Sequence, residues 1–320
     1  MMEKEINEVN NMELFFDVLD ESTIILHEVF HKPYFELLEM TVNNILEGDI
    51  TCNIEKKEDY DRLKETYLKL KDIDFTVEDI RKAFQSITLR GLKEMRIPNG
   101  VTTPDTIGIF FSYIVSKVID KKEFNLLDPL CGTGNLLITM ANYIDKDIKL
   151  FACDNDSWMC KITKMLADLT NNYVEIFMQD TFQLSFTGMD VITFDMPHSE
   201  KEDNNYFPYQ AILHYKEMLN NEGLMIGLVE NDFFDYDKDK KFKEELIKDM
   251  SILGILELPD EMFKTSKPKI ILILYKKKID ELKPFMVKLP SFKDVKLFNE
   301  ALLDIEAWFE KNKKVLKENN

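Results

Sequence analysis

The sequence contains few residues that break secondary structure and no long apolar run. Glycine and proline occur only ten times each among 320 residues, which disfavours low-complexity disorder. The apolar stretch at 270–275 is far shorter than the roughly 20 residues that a bilayer span needs. The first eleven residues are acidic and polar, unlike a signal or transit peptide. We therefore expect a cytoplasmic protein with no membrane partner.

Cysteine is also scarce. The four cysteines show neither a C-x-x-C pair nor the spacing of a disulfide framework, and they are Cys52, Cys131, Cys153 and Cys160. This usage is typical of reduced thiols in a cytoplasm. With 45% hydrophobic residues, the chain is long enough to bury one large core and a second, smaller one.

Basic residues are outnumbered: 41 Lys and Arg stand against 59 Asp and Glu, a net charge of −18. A field of this sign repels phosphate backbones, so we expect DNA binding to be weak unaided and steeply salt-dependent. The imbalance is uneven, since residues 1–95 hold 12 basic and 22 acidic residues, whereas 261–320 hold 14 and 9. The alternative to a nucleic-acid contact is that the charges of both parts simply form a well-solvated surface. The candidates for phosphate contacts are Lys264, Lys267, Lys269 and Lys276–Lys278, although the last three are slightly better explained as the solvated end of a strand.

Residues 1–95 show helical periodicity without strand alternation. Apolar residues recur at three- and four-residue spacing in 12–30 and in 34–48, where Gly48 is a plausible stop. Thr76 and Asp79 resemble a capping box at the start of a further helix. We predict a separate helical domain packed on or near the functional face of the domain that follows, and this helical domain is where a protein partner would bind.

The same region contains "HEVFH" at 27–31, which satisfies the H-E-x-x-H pattern of zinc sites. A zinc protease needs a third ligand, and His198 and His214 belong to the other domain, which leaves only an acid such as Glu47. An acidic helix meets this five-residue pattern easily by chance. We therefore predict no metal site.

From residue 96 the pattern changes to short apolar strands that alternate with helices, which indicates a parallel sheet buried on both faces. The segment 103–118 reads as a helix with Thr103 as its N-cap and Pro104 at its first position. The last two strands are joined by too little chain for a crossover helix, so we predict an antiparallel hairpin at the sheet edge. The domains are then 1–95, 96–290 and a C-terminal helix in 291–320. The predicted strands are 124–129, 148–154, 173–178, 190–195, 223–229, 252–258 and 269–276, and the later helices are 134–144, 156–170, 207–220 and 240–250.

"DPLCGTGN" at 128–135 joins the first of these strands to a helix. A strand that ends in an acid, followed by a glycine turn and a helix N-terminus, is typical of cofactor sites in doubly wound sheets. No G-x-G-x-x-G is present, so a dinucleotide is not favoured. The next three strands also end in acids, Asp154, Asp180 and Asp195, at the same sheet edge. The alternative is that these acids are only polar loop starts.

The order of these motifs resembles class I S-adenosylmethionine-dependent methyltransferases of Rossmann-like α/β fold. It is most similar to the N6-adenine DNA methylase group of type I restriction systems, and within it to the stand-alone YtxK-type proteins of Firmicutes. The resemblance rests on the "TP" at 103–104, on "DPLCGTGN", on the strand-end acids and on "DMPH" at 195–198. It covers 97–280 well and the N-terminal helices more loosely.

The resemblance implies that S-adenosylmethionine is the cofactor. Its methionine end would lie at Thr103 and Pro104, and Asp128 would lie near its sulfonium and amino groups. Asp154 would bind the ribose hydroxyls and Asp180 the adenine amine. A cationic ligand with a ribose suits such a carboxylate-lined pocket. The remaining predicted cofactor-binding residues are Leu130, Gly132, Thr133, Gly134 and Asn135.

The family tetrapeptide is N/D-P-P-Y/F, whereas this chain has Asp195, Met196, Pro197 and His198. By the resemblance, Asp195 and the Met196 carbonyl would accept hydrogen bonds from an exocyclic amine, which positions its nitrogen for attack on the methyl group. The family aromatic stacks on a flipped base. His198 is a poor substitute and is equally well explained as a surface loop residue. The stacking face would otherwise come from Tyr206 or Phe207.

Three functions remain open. The first is an N-methyltransferase of the adenine type that acts on nucleic acid, and a basic, aromatic-lined groove beside Asp195 would favour it. The second is a methyltransferase for a protein or small molecule, which a closed pocket would favour. The third is a non-catalytic cofactor- or partner-binding protein, which an occluded Asp195 would favour.

Overall fold

The computed structural model describes residues 10–200, 205–263 and 267–317. Lys264 lies outside these residues. The helices are α1 (Asn11–Phe30), α2 (Tyr34–Glu47), α3 (Lys57–Leu68), α4 (Val77–Glu94), α5 (Asp105–Val118), α6 (Asn135–Tyr143), α7 (Ser157–Leu169), α8 (Phe207–Lys216), α9 (Lys241–Leu246) and α10 (Val295–Lys317). The strands are β1 (Glu123–Asp128), β2 (Asp147–Asp154), β3 (Val174–Met178), β4 (Met189–Asp195), β5 (Leu219–Glu230), β6 (Ser251–Glu257), β7 (Lys269–Tyr275) and β8 (Phe285–Lys288).

Helices α1–α4 form the N-terminal part of the molecule. The helix α4 begins with the expected capping box, because the Thr76 hydroxyl accepts from the Asp79 N–H and the Asp79 carboxylate accepts from the Thr76 N–H. The buried apolar residues of α1, α2 and α4 share one core with α5–α7, α10 and one face of the sheet. The rings of Phe35 and Trp158 lie 6.0 Å apart across this junction. The helical part is therefore packed against the sheet domain.

The eight strands form one sheet in the order β3-β2-β1-β4-β5-β7-β6-β8. Strands β1–β5 are parallel, β7 is antiparallel to both β5 and β6, and β8 is parallel to β6. A second core, on the other sheet face, is closed by α8 and α9. The chain order reverses beside β1, where β2 and β4 flank it, and in open α/β sheets ligands bind in the crevice at this point.

The sheet differs from the prediction at its far edge. The antiparallel pairing of β6 and β7 is confirmed, but β7 lies inside the sheet and the unpredicted strand β8 forms the edge. Only Phe285 of this four-residue strand is buried, so its sequence carries too short an apolar pattern to be recognised. The Phe285 ring packs on Gly254, where any β-carbon would collide with it. Strand β5 also begins at Leu219, four residues earlier than predicted, because α8 ends at Lys216.

In the part of the chain that the structure describes, we find no helix that is long and apolar enough to cross a membrane.

Candidate functional site

A cavity of about 470 Å³ lies at the carboxyl ends of β1–β4. Half of the fourteen residues that the sequence predicts for the site line it, namely Thr103, Leu130, Gly132, Asp154, Asp180, Asp195 and Pro197. The other predicted residues do not line it, namely Pro104, Asp128, Thr133, Gly134, Asn135, Met196 and His198. The cavity is also lined by residues that the sequence analysis did not assign to a site, namely Gly100, Val101, Pro129, Asn155, Gln179, Thr181, Phe182 and Ser199.

The glycine loop between β1 and α6 is held close to the segment that precedes α5. Gly132 has φ 51°, and a β-carbon there would collide with the Val101 carbonyl oxygen. Gly134 has φ 76°, and its β-carbon would lie 2.8 Å from the Thr163 side chain. Thr133 donates its N–H to the same Val101 carbonyl at 3.3 Å. Only glycine allows this conformation and this close approach, which together shape one wall of the cavity.

Asp154, at the end of β2, ties the glycine loop to the next loop. Its carboxylate accepts from the Gly132 N–H and from the Asp156 N–H, both at 2.9 Å. Burial raises the pKa of Asp154 despite these bonds. Each carboxylate oxygen retains a lone pair, so this cavity-lining group can accept further hydrogen bonds from hydroxyls.

Asp128, at the end of β1, lies beneath the loop and is 1% exposed. Its carboxylate accepts from the Leu130 N–H at 3.1 Å, which fixes the start of the turn. Complete burial, together with the nearby Asp154 and Asp195 charges, raises the pKa of Asp128 to about 8. A cationic ligand in the cavity would favour the ionised form. A direct contact with such a ligand stays a prediction.

Asp195, at the end of β4, is held by two side chains. The Thr103 hydroxyl donates to one carboxylate oxygen at 2.9 Å, and the Lys269 ammonium donates to the other. The same ammonium donates to the Met196 carbonyl at 2.7 Å. The predicted capping role of Thr103 is wrong, because α5 begins at Asp105 after Pro104 and the Thr103 hydroxyl binds Asp195 instead.

His198 does not line the cavity. Its Nδ1 is hydrogen-bonded at 2.6 Å to Glu230, a buried carboxylate at the end of β5, while 58% of the imidazole side chain is exposed. The suggested alternative Tyr206 is wrong as a stacking face, because it is 2% exposed and packs against Tyr209 and Tyr236.

The aromatic surface of the cavity comes from Phe182 and Phe207 instead. Both line it, and their rings meet edge to face at 5.5 Å. Phe182 follows Asp180 by two residues and donates its N–H to that carboxylate at 2.9 Å, so Asp180 caps the short 3-10 turn that presents the ring. An aromatic residue just after a strand-end acid was the signal that could have identified Phe182.

Arg81 connects the N-terminal part to the site and was not predicted. Its side chain is fully buried, and its guanidinium donates to Asp105 at 2.8 and 2.9 Å and to the Asn135 side-chain oxygen at 2.9 Å. Asn135 in turn donates to the Thr103 carbonyl at 2.7 Å. Burial opposes the charge, but the bonds to Glu78 and Asp105 outweigh it and raise the pKa of Arg81. The available signal was a charged residue on the apolar face of α4.

Among the described residues, four of the proposed phosphate-binding lysines are paired with carboxylates, namely Lys267, Lys269, Lys276 and Lys277. Lys267 binds Glu230 at 3.4 Å and Asp232 at 3.2 Å. Lys276 binds Asp249 at 2.6 Å. It follows the last residue of β7, whereas Lys269 begins that strand at the cavity edge, so Lys276–Lys278 lie at the opposite edge of the sheet.

The histidine pair of "HEVFH" lies at the end of α1, remote in sequence from the cavity residues, with ring centroids 6.1 Å apart. Within residues 10–200, 205–263 and 267–317, no group of three or more His, Cys, Asp or Glu side chains has the arrangement of a metal site.

Comparison with known proteins gives a consistent picture. Residues 13–92 match the YtxK N-terminal helical domain, and residues 101–320 match the N-6 DNA methylase family. The chain is 29% identical over 324 residues to the uncharacterized protein YtxK of Bacillus subtilis (strain 168), covering 93% of this chain and 97% of that protein.

Two solved structures resemble this one over most of its length. A crystal structure assigned to class I S-adenosylmethionine-dependent methyltransferases, from Listeria monocytogenes, is 29% identical with a TM-score of 0.82, covering 93% of this chain and 99% of that chain. The methyltransferase subunit of a type I restriction-modification system from Streptococcus thermophilus is 13% identical with a TM-score of 0.64, covering 94% and 78%. The second likeness shows the fold alone.

Proposed function

The protein belongs to the N-6 DNA methylase family, and on that premise we propose that it transfers a methyl group from S-adenosylmethionine to an amine nitrogen held by Asp195 and the Met196 carbonyl. The family and the fold support an S-adenosylmethionine-dependent methyltransferase. The acceptor and the type of amine are the proposal.

The cavity residues fit this cofactor. The close approach of Gly132 to Val101 leaves a backbone-lined wall, and the Asp154 carboxylate beside it has free lone pairs for two ribose hydroxyls. Asp180 and Phe182 lie next along the sheet edge, where a purine ring can contact the aromatic face and donate its amine to the carboxylate. When bound, the cofactor supplies an electrophilic methyl group. The acidic cavity suits its positive charge.

The observation that carries the proposal is the position of the Lys269 ammonium. The Asp195 carboxylate and the Met196 carbonyl together bind one nitrogen, with the carbonyl at 2.7 Å. This acceptor pair therefore has the geometry to hold an N–H donor. Two accepted hydrogen bonds fix the orientation of an amine and leave its lone pair directed away from them, so the contribution of these residues is mainly positioning.

The acceptor that we propose is the exocyclic amine of a nucleobase. Phe207 and Phe182 present aromatic surface in the same cavity as Asp195, and a base taken out of its stack needs such a surface. Phe207 thereby replaces the aromatic position that His198 leaves when it binds Glu230. The net charge of −18 favours a protein acceptor instead, because it attracts basic polypeptides and repels phosphates.

Substitution of Asp195 tests the proposal. Asp195→Ala removes the side-chain acceptor, so we expect loss of methyl transfer to adenine-containing oligonucleotides, with an S-adenosylmethionine affinity equal to that of Asp195→Asn, which removes the same charge. Asp195→Asn is the matched control, because its amide oxygen still accepts a hydrogen bond and the family pattern allows it. Transfer of tritiated methyl groups and titration calorimetry provide the two readouts. Equal transfer by wild type and Asp195→Ala would reject the assigned acceptor site.

A further inference from the structure

We propose that Lys269 determines which acceptors enter the site, because its ammonium fills the position of the acceptor amine and must be displaced. This inference rests on the proposed function, which identifies that position as the site of the acceptor amine. The contact itself is a feature of the structure: one nitrogen bonded to both the Asp195 carboxylate and the Met196 carbonyl.

The strand order explains how Lys269 reaches this place. Strand β7 is antiparallel to β5, so its first residue lies at the same edge as the end of β5, where Lys269 pairs in register with Glu230. The Lys269 side chain then crosses the end of β5 to reach β4. It is 16% exposed and the Asp195 side chain is 15% exposed, so the pair is largely shielded from water. Such a pair is stronger than one on the open surface.

The polar groups around this ion pair have other hydrogen-bond or ion-pair partners. The second Asp195 oxygen accepts from the Thr103 hydroxyl, and Lys267 is bound to Glu230 and Asp232. Among the described residues, Lys269 is thus the cation that balances Asp195. A neutral amine that enters must exchange charge-assisted hydrogen bonds for weaker ones. Lys269 therefore selects against weakly bound amines.

The ion pair between Lys269 and Asp195 also determines the net charge of the cavity in which the cofactor would bind. Asp195 lines the same cavity as Gly132 and Asp154. With Lys269 in place, its negative charge is largely neutralised. Without Lys269, that charge faces the cavity, where it attracts the positive sulfonium of S-adenosylmethionine but not the uncharged thioether of S-adenosylhomocysteine.

The test compares Lys269→Met with the matched control Lys267→Met in the full-length protein. Methionine keeps an unbranched apolar stem but has no ammonium. Calorimetry of both ligands should show that the affinity for S-adenosylmethionine relative to S-adenosylhomocysteine rises roughly tenfold in Lys269→Met and stays unchanged in Lys267→Met. Initial rates of methyl transfer to an adenine-containing oligonucleotide should rise in Lys269→Met only. Lys269→Gln serves as a second variant if circular dichroism shows that Lys269→Met is misfolded.

An unchanged affinity ratio in a folded Lys269 variant would overturn the inference. So would a methyl group on Lys269 of the wild-type protein, detected by peptide mass spectrometry after incubation with the cofactor, because the residue would then be an acceptor and not a competitor. A raised ratio without nucleic-acid methylation by any form would support the role of Lys269 at Asp195 while rejecting the proposed nucleobase acceptor.

Discussion

Asp128 is a single carboxyl group that the fold removes completely from water. Its pKa is raised to about 8, above the value of roughly 4 in an unfolded chain. Its stabilising contribution is thus full below the unfolded pKa and declines as the pH rises towards 8. The strand-end acid that was predicted as a ligand contact is also a source of pH-dependent stability in the cofactor-free protein.

Asp128→Asn should remove this pH dependence, since the amide stays neutral and its oxygen can still accept from the Leu130 N–H. Between pH 5 and 8, the free energy of unfolding of the wild type should fall relative to that of the variant by up to about 1.4 kcal/mol per pH unit. Urea denaturation without cofactor measures this free energy at each pH, and the control is Asp156→Asn, which changes an exposed carboxyl group. Parallel pH profiles for wild type and Asp128→Asn would contradict the assignment.

Asp154 accepts hydrogen bonds from the Gly132 and Asp156 N–H groups, and it is the predicted acceptor for the ribose hydroxyls of the cofactor. Asp154→Ala should weaken S-adenosylmethionine binding roughly 10- to 100-fold, because losing a hydrogen bond to a charged group costs about 1.5 to 3 kcal/mol. Calorimetry tests this, with Asn155→Ala as a control that lines the same cavity without a carboxylate. Equal affinity in wild type and Asp154→Ala would reject the ribose assignment.

At the scale of helices and strands, α4 supports the site through one side chain. Arg81 binds Asp105 at the start of α5 and Asn135 at the start of α6, and Asn135 binds the Thr103 carbonyl. The Thr103 hydroxyl continues the chain of contacts to Asp195. The N-terminal helices therefore take part in positioning the acceptor residues.

Arg81→Met should destabilise the protein by about 2 kcal/mol or more, because it leaves Asp105 and Asn135 without their buried partner. We also expect weaker cofactor binding, since the segment that carries Thr103 lines the cavity. Arg90→Met is the control, because Arg90 pairs with Asp20 within the N-terminal helices and is 40% exposed. If both variants bind cofactor equally well, α4 provides stability alone.

The glycine loop and the strand-end acids could be predicted from the sequence because each depends on residues that are close together in the chain. The glycine loop could be recognised because only glycine tolerates positive φ beside the Val101 carbonyl, and the strand-end acids because parallel strands share one carboxyl edge. The contacts that Lys269 and Arg81 make at the site could not be predicted, since each side chain reaches it from an element distant in sequence. Strand β8 was missed because a single buried residue leaves no periodic pattern.

At the scale of the whole molecule, the charge distribution limits what the protein can bind. Among the described residues, the C-terminal lysines that were predicted to contact phosphates are paired with carboxylates or lie across the sheet from the cavity. Within the part of the chain that the structure describes, the lysines nearest Asp195, Lys267 and Lys269, are already paired with carboxylates, so a nucleic acid would approach an acidic protein. We expect binding to DNA or RNA to be weak alone and to decrease steeply with salt. A protein partner bound through the N-terminal helices is a proposal that would supply the missing contacts.

Identification of the methylated product tests most directly whether the protein transfers a methyl group to the exocyclic amine of a nucleobase. The protein is incubated at low salt with isotopically labelled S-adenosylmethionine and with DNA, RNA and cell extract, and each fraction is digested and analysed by mass spectrometry. We expect label on the exocyclic nitrogen of adenine, present with wild type and absent with Asp195→Ala. Label confined to protein or small molecules, or no label in any fraction, would contradict it.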